Sequence, residues 1–410
     1  MIVSWLGKLI GIDAEYFFKN SFWVSFRSGV GMVAGFFLGI VFARVAPKET
    51  YGQYVFVFSA MYMVAFLAVP KFDFAVSQAV AKGFDQSLFQ STKISLIGSL
   101  LASICMWVLA ARYFYLGDPN LGYGLLIAGI FFPLLFGLKA YDHFLMGKKR
   151  FDLSAQFSAI ASILTAIGLI IGLLVHMSLP GLLFVYFFIN AGLNVVYFFR
   201  VKRLVRNKKQ DPDVVGYGLY LTALAVVAIV VTKLGSVLLN HYDGAAVLAT
   251  YSVAIIMPKA VQDLMQNFID VAKIKVADKN RKELVNVCKR HGAKWVLLGI
   301  GACTALWIGL PILIPLIYSD KYNDAILYSQ VASLALIFFP FSTFLGNLIL
   351  LEKKRKIIAL THFFPSVPNI VLLPVFIARF GIWGAIGVNL FSWVYMTPFY
   401  WWAFWREKDL

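Results

Sequence analysis

Long apolar runs separated by short polar connections make up almost the whole chain. Crossing a hydrocarbon core of ~30 Å takes about 20 mostly apolar residues in a helix. Twelve runs reach or approach that length, near 22–46, 51–70, 94–116, 121–145, 153–175, 179–199, 215–239, 245–268, 294–318, 325–351, 357–378 and 382–405. Ahead of the first, Ile2, Leu6, Leu9 and Ile10 recur at helical spacing beside Trp5 and Lys8. That pattern predicts a short helix lying in the membrane interface over residues 1–19. The expectation is an all-α polytopic membrane protein with about twelve transmembrane helices and no soluble domain.

Lysine and arginine sort into alternate connections. Leaving aside Arg27, which lies inside the first run, thirty fall on one side of the expected membrane. They occupy the N-terminus, 71–93, 139–150, 200–209, 259–294, 353–356 and the C-terminus. The other side holds six: Arg44, Lys48, Arg112, Lys233, Lys321 and Arg379. The positive-inside rule then places both termini in the cytoplasm.

The chain also repeats itself. Ile130-Phe131-Phe132-Pro133 recurs as Ile337-Phe338-Phe339-Pro340, and Lys-Lys-Arg follows each at 148–150 and 353–355. Earlier in each half, Pro70-Lys71 matches Pro258-Lys259, with Asp73 and Asp263 just beyond. Four matches in one order predict two six-helix halves, 1–199 and 215–410, joined by a basic cytoplasmic linker over 200–214. An even number of spans per half gives both the same orientation. Such bundles enclose a central cavity and work by rocking against each other.

Composition agrees: of 410 residues, 60% are hydrophobic and 14% charged, with a mean hydropathy of +0.79. A formal charge of +17 raises nucleic acid as a partner, but its loop-by-loop distribution is that of a membrane protein and argues against one. The first run is too long, and Asp13 and Glu15 stand too close before it, for a cleavable signal peptide. Cys105, Cys288 and Cys303 have no paired spacing, and Cys105 and Cys303 sit in apolar runs as packing residues. Histidines at 143, 176, 241, 291 and 362 lack ligand spacing, so neither a metal site nor another cofactor is expected. No nucleophile–base constellation is legible and the outer connections are short, which points to a transporter rather than an enzyme.

Arg27, Gly31, Ala43-Arg44, Pro47 and Tyr51-Gly52-Gln53-Tyr54 form a stretch that resembles the start of the polysaccharide-transporter family. That family comprises the O-antigen and capsule repeat-unit flippases of the multidrug/oligosaccharidyl-lipid/polysaccharide exporter superfamily. The resemblance implies two six-helix bundles around a cationic lumen in a bacterial inner membrane. It also implies an undecaprenyl-pyrophosphate-linked oligosaccharide as cargo and other polysaccharide-assembly proteins as potential partners. Related lipid II flippases carry an arginine low in the first helix, which Arg27 matches. Many relatives have two further C-terminal helices, and this chain has twelve runs, which favours the sugar-repeat branch.

Five cations are candidates for holding an anionic cargo: Arg27, Lys71, Lys139, Lys233 and Lys259. A charge inside a span normally faces protein or a wet cavity. Arg27 has two readings, a fork for substrate phosphate or a side chain snorkelling ~7.5 Å to the cytoplasmic headgroups. Lys71 and Lys259 each follow a proline, and Pro70, Pro258, Pro133 and Pro340 are candidate hinges because proline frees a helical carbonyl. Both lysines also read as plain helix ends, paired with Asp73 and Asp263. Lys139 precedes Asp142 by one turn and reads first as its ion-pair partner. Lys233 reads as an outer phosphate or glycan contact, or as snorkelling. Gly31, Gly35 and Gly39 predict close helix packing, with room for a lipid tail as the other reading. The aromatic cluster from Phe391 to Trp405 reads as an interfacial belt.

These readings favour a flippase in which the headgroup enters a wet, positive cavity while the prenyl tail stays in lipid. A drug or cation antiporter, coupled to H+ or Na+, is the rival. It requires a titratable carboxylate deep in a span, whereas Asp73, Asp142, Asp263 and Asp270 lie near the expected cytoplasmic ends. A scaffold for glycan enzymes is a third class, disfavoured by the duplicated, proline-marked halves.

Overall fold

A computed structural model describes residues 14–275, 281–351 and 366–406, and among these there is no strand. Residues 1–13 of the expected interfacial helix over 1–19 lie outside the described residues, as does the second Lys-Lys-Arg, while residues 14–19 open the first long helix, Ala14–Val45. The first helices are α1 (Ala14–Val45), α2 (Lys48–Val64), α3 (Phe72–Ala81), α4 (Ser87–Tyr115) and α5 (Pro119–Phe132). They are followed by α6 (Ala140–Gly147), α7 (Phe151–Leu174), α8 (Leu179–Lys202) and α9 (Val214–Tyr242). The remainder are α10 (Ala245–Lys275), α11 (Arg281–Tyr318), α12 (Ala325–Ser333), α13 (Ala335–Leu351) and α14 (Val367–Arg406).

Eleven segments among the described residues are long and apolar enough to cross a membrane. The last of them, Val367–Trp405, covers the final two expected spans: Gly381, at φ 52° and ψ −130°, breaks the helix between them. A side chain at Gly381 would press on the Asp243 carboxylate. The part of the expected 357–378 span before residue 366 lies outside the described residues.

Two connections expected as loops are largely helical. Residues 71–93 contain α3, which buries Phe72, Ala75, Val76, Ala79 and Val80. Between the expected spans 245–268 and 294–318, residues 269–275 and 281–293 are the extended ends of α10 and α11. The periodicity of these pieces is helical, but their charges hide them from a hydropathy reading.

Local chemistry sets the helix ends. The α4–α5 turn places Gly117 at φ 79°, and the Asp118 carboxylate accepts from the Leu121 amide at 3.0 Å, with Pro119 opening the helix. Buried hydroxyls on α4 return to their own backbone, Ser91 to Ser87 O at 2.8 Å and Thr92 to Leu88 O at 2.7 Å. That satisfies polar groups where water is absent. Cys303 is buried as expected, whereas Cys105 is exposed.

The chain divides into two compact units, Met1–Ala46 with Ala60–Val226, and Pro47–Ser59 with Val227–Leu410. In the first unit α1 packs along α7, α4 on α5, and α5 on α8. Its core joins Phe72, Val76, Phe144, Leu145, Phe157, Tyr197 and Val201. The linker after α8 is strapped onto the turn before α4. The Arg206 amide donates to buried Asp85 at 2.9 Å, Asn207 Nδ2 to Gly83 O at 3.1 Å, and the Gln86 amide to Lys209 O at 3.2 Å. Lys148 pairs with the same Asp85 carboxylate.

In the second unit α11 packs on α13, α13 on α14, and α10 on α12. The motif at Pro47–Tyr54 has a structural job here. A side chain at Gly52 would run into the Ala245 carbonyl, so glycine lets α2 and α10 touch backbone to backbone. Lys48 reaches both Asp324 oxygens at 3.1 and 3.0 Å, with Thr250 Oγ1 donating to one of them at 3.4 Å.

Candidate functional site

The first unit contains a cavity of about 320 Å³ lined by residues of α1, α2, α6, α7, α8 and the turn between α5 and α6. Arg27 enters it from α1. Its guanidinium grips Asp142 of α6 with two parallel bonds, Nη1 to Oδ1 at 3.2 Å and Nη2 to Oδ2 at 2.9 Å. Nη1 also donates to Ser154 Oγ of α7 at 2.7 Å, and Ser154 donates in turn to Asp142 Oδ1. The Asp142 side chain is 7% exposed and that of Arg27 29%, so the pair sits at the cavity wall and not in bulk water. A forked pair is stronger and more directional than a point-charge contact.

This arrangement corrects two expectations. The ion-pair partner of Asp142 is Arg27, 115 positions away, and not Lys139 one turn earlier. Lys139 instead opens onto the cavity. The glycine stripe is not a packing seam: positions that a side chain would fill at Gly35 and Gly39 have no neighbour within 4 Å, and Gly31 faces Ser162 at 3.8 Å. Gly31 and Gly35 line the cavity.

The remaining wall is mixed, with Leu38, Met61, Leu135, Phe136 and Phe157 beside hydroxyls and amides. Pro133 has no amide hydrogen and opens a π turn over Pro133–Gly137, which leaves carbonyls short of helical donors. Asn194 of α8 supplies them, with Nδ2 to Leu134 O at 3.2 Å and to Leu135 O at 3.1 Å, while its Oδ1 accepts from Tyr141 at 2.9 Å. Asn190, one turn earlier, donates to Thr165 Oγ1 and to Tyr186 O, each at 2.9 Å. Phe157 and Tyr197 stack at 4.0 Å behind Tyr141. Ser154, Thr165, Asn190 and Asn194 were not singled out from the sequence. Their signal was present as polar residues one turn apart, Tyr186, Asn190 and Asn194 on α8 and Ser154, Ser158 and Ser162 on α7.

The other candidates do not gather at this cavity. Lys71 follows a true break: a 3-10 segment ends at Ala68, Val69 takes a left-handed conformation, and α3 begins at Phe72. Pro258 and Lys259, by contrast, lie inside the continuous α10, about 20 Å along it from Ala245. Lys259 pairs with Asp263 at 2.8 Å, both half-exposed, which is the paired reading in mid-helix rather than at a helix end. Lys233 lies inside α9 in the same unit. Pro340 sits within continuous α13, unlike its sequence match Pro133. No group of three or more metal-binding side chains occurs among the described residues.

A chain whose described residues are helical, with eleven bilayer-length segments among them and an internal cavity carrying charged side chains, is a multi-pass membrane protein. The family follows from sequence: a family model described as "Polysaccharide biosynthesis protein" matches residues 17–272, and the chain belongs to that family. Comparison with curated protein sequences gives no match.

Solved structures share the fold across nearly the whole length. An inward-facing multidrug resistance MATE family transporter of the MOP superfamily is 12% identical, with a TM-score of 0.65 over 94% of this chain and 98% of its own. A MOP superfamily transporter from Pyrococcus furiosus, noted for a binding pocket of reversed polarity, is 11% identical, with a TM-score of 0.64 over 95% of each chain. The lipid II flippase MurJ, in an inward closed conformation, is 13% identical, with a TM-score of 0.57 over 92% of this chain and 86% of its own.

Proposed function

We propose that this protein is a flippase that carries an undecaprenyl-pyrophosphate-linked oligosaccharide repeat unit from the cytoplasmic to the outer leaflet of a bacterial inner membrane. One observation carries the reading. The cavity within the helical first unit is lined by two cations, Arg27 and Lys139, against the single carboxylate of Asp142, with hydroxyls, amides and apolar side chains making up the rest of its wall. A charged sugar headgroup cannot shed its water into hydrocarbon, whereas donors and cations in a wet cavity replace that hydration. Membership of the polysaccharide biosynthesis family supports the cargo class.

The translocation mode is alternating access, with Lys71, Lys233 and Lys259 as further contacts and Pro70, Pro133, Pro258 and Pro340 as hinge positions. Both termini face the cytoplasm, where other polysaccharide-assembly enzymes supply the cargo. Cation-coupled drug antiport is a second reading, favoured by one observation. Asp142 lies at the cavity wall inside a span, not at a solvated helix end.

Reconstitution decides between them. Proteoliposomes loaded with a fluorescent polyprenyl-diphosphate oligosaccharide should expose the sugar to an external quencher at a rate set by this protein. No exposure of the lipid-linked sugar, together with proton- or sodium-driven efflux of an organic cation, would replace the flippase with the antiporter.

A further inference from the structure

We propose that Asp142 is a built-in counter-anion that occupies the Arg27 fork, and that a diphosphate enters this cavity by taking its place. The inference deepens the flippase reading and rests on it for the identity of the cargo. A carboxylate and a phosphate use the same pair of guanidinium donors. Arg27 gives that pair to Asp142, Nη1 to Oδ1 and Nη2 to Oδ2. Ser154 closes the remaining side by accepting from Arg27 and donating to Asp142. The fork is therefore engaged in this structure, although its side chain reaches the cavity and keeps 29% exposure. Lys139 lines the same cavity, and no carboxylate lies within ion-pair distance of it among the described residues.

The division of labour follows from these contacts. Lys139 draws an anion in, and Asp142 sets how much of that attraction Arg27 adds. An anion that offers two oxygens in one plane matches the Asp142 carboxylate and displaces it; a single-charge ligand does not. Asp142 thus lowers affinity and confers selectivity for a diphosphate. The competing account is that the three residues only clamp α1 to α6 and α7. The two accounts predict opposite signs for the loss of the carboxylate.

The test uses the purified full chain in phosphatidylcholine nanodiscs, with inorganic pyrophosphate and farnesyl diphosphate as separate probes. Binding to either probe should tighten about ten-fold in Asp142→Asn, as expected when one charged donor pair is freed. The gain should vanish in Arg27→Ala/Asp142→Asn, and Lys139→Ala should weaken binding. Unchanged or weaker binding in Asp142→Asn, or a gain that survives without Arg27, overturns the proposal. Should Asp142→Asn fail to accumulate, Ser154→Ala decides: a few-fold gain supports the proposal, and none overturns it. Failure of the flippase reading is separate. A protein that shows the Asp142 gain but exposes no lipid-linked sugar keeps this site and loses that function.

Discussion

Arg27 and Asp142, 115 positions apart in the chain, meet with both carboxylate oxygens in the guanidinium fork. Arg27→Ala leaves a nearly buried carboxylate with Ser154 alone. Losing one partner of a fully buried pair costs ~3–5 kcal/mol; the residual exposure of Arg27 reduces this to about 2 kcal/mol. Melting of the purified protein should fall by several degrees in Arg27→Ala and recover most of that in Arg27→Ala/Asp142→Asn. Flipping should stay low in both. Recovery of transport together with stability in the double variant would show that Arg27 serves only to neutralise Asp142. Arg27→Lys should rescue only in part, because lysine keeps the charge without the paired donors.

Orientation rests on the uneven distribution of lysine and arginine. Cysteine placed at exposed Gln210 should be shielded from an impermeant thiol reagent in intact cells, and cysteine at exposed Asn120 should react. Labelling at Gln210 would invert the topology.

The two matched prolines should behave differently. Pro258 lies inside continuous α10 and denies a donor to the carbonyl of Ala254. Pro258→Ala should raise the melting temperature by a few degrees and, if α10 bends during transport, slow it. Pro70 sits in a turn after left-handed Val69, where alanine restores no helical bond. Equal stabilisation by Pro70→Ala would contradict this difference.

Gly52 permits contact between the backbones of α2 and α10 at Ala245. Gly52→Ala must push the helices apart, at a cost of ~1–3 kcal/mol or more. Reduced accumulation and a lower melting temperature should follow, whereas Gly35→Ala, with nothing within 4 Å, should be stable.

Asp85 holds the linker through the Arg206 amide and also pairs with Lys148. Asp85→Asn should free the segment between Arg200 and Lys209 for tryptic cleavage, seen as an earlier split into two fragments near the middle of the chain. Cleavage at the wild-type rate would mean that the Asn207 and Gln86 contacts suffice.

Apolar run length and the asymmetry of lysine and arginine were enough to define the fold class, because the bilayer imposes both on any helical chain that crosses it. They determined where most spans lie and marked Arg27 as a charge needing an explanation. Pairing was decided only in three dimensions. Asp142 stands one turn from Lys139 in sequence, yet the fold brings α1 against α6 and α7 and gives the carboxylate to Arg27. The glycine stripe could line a seam or a hollow, and spacing alone cannot distinguish a neighbour from empty space. The helix in 71–93 and the continuity through Pro258 also depended on packing, since charge lowers hydropathy without breaking a helix and a proline breaks one only when its surroundings do not hold it. Periodicity along one chain records which face is apolar; which residues meet across faces depends on how the helices stack.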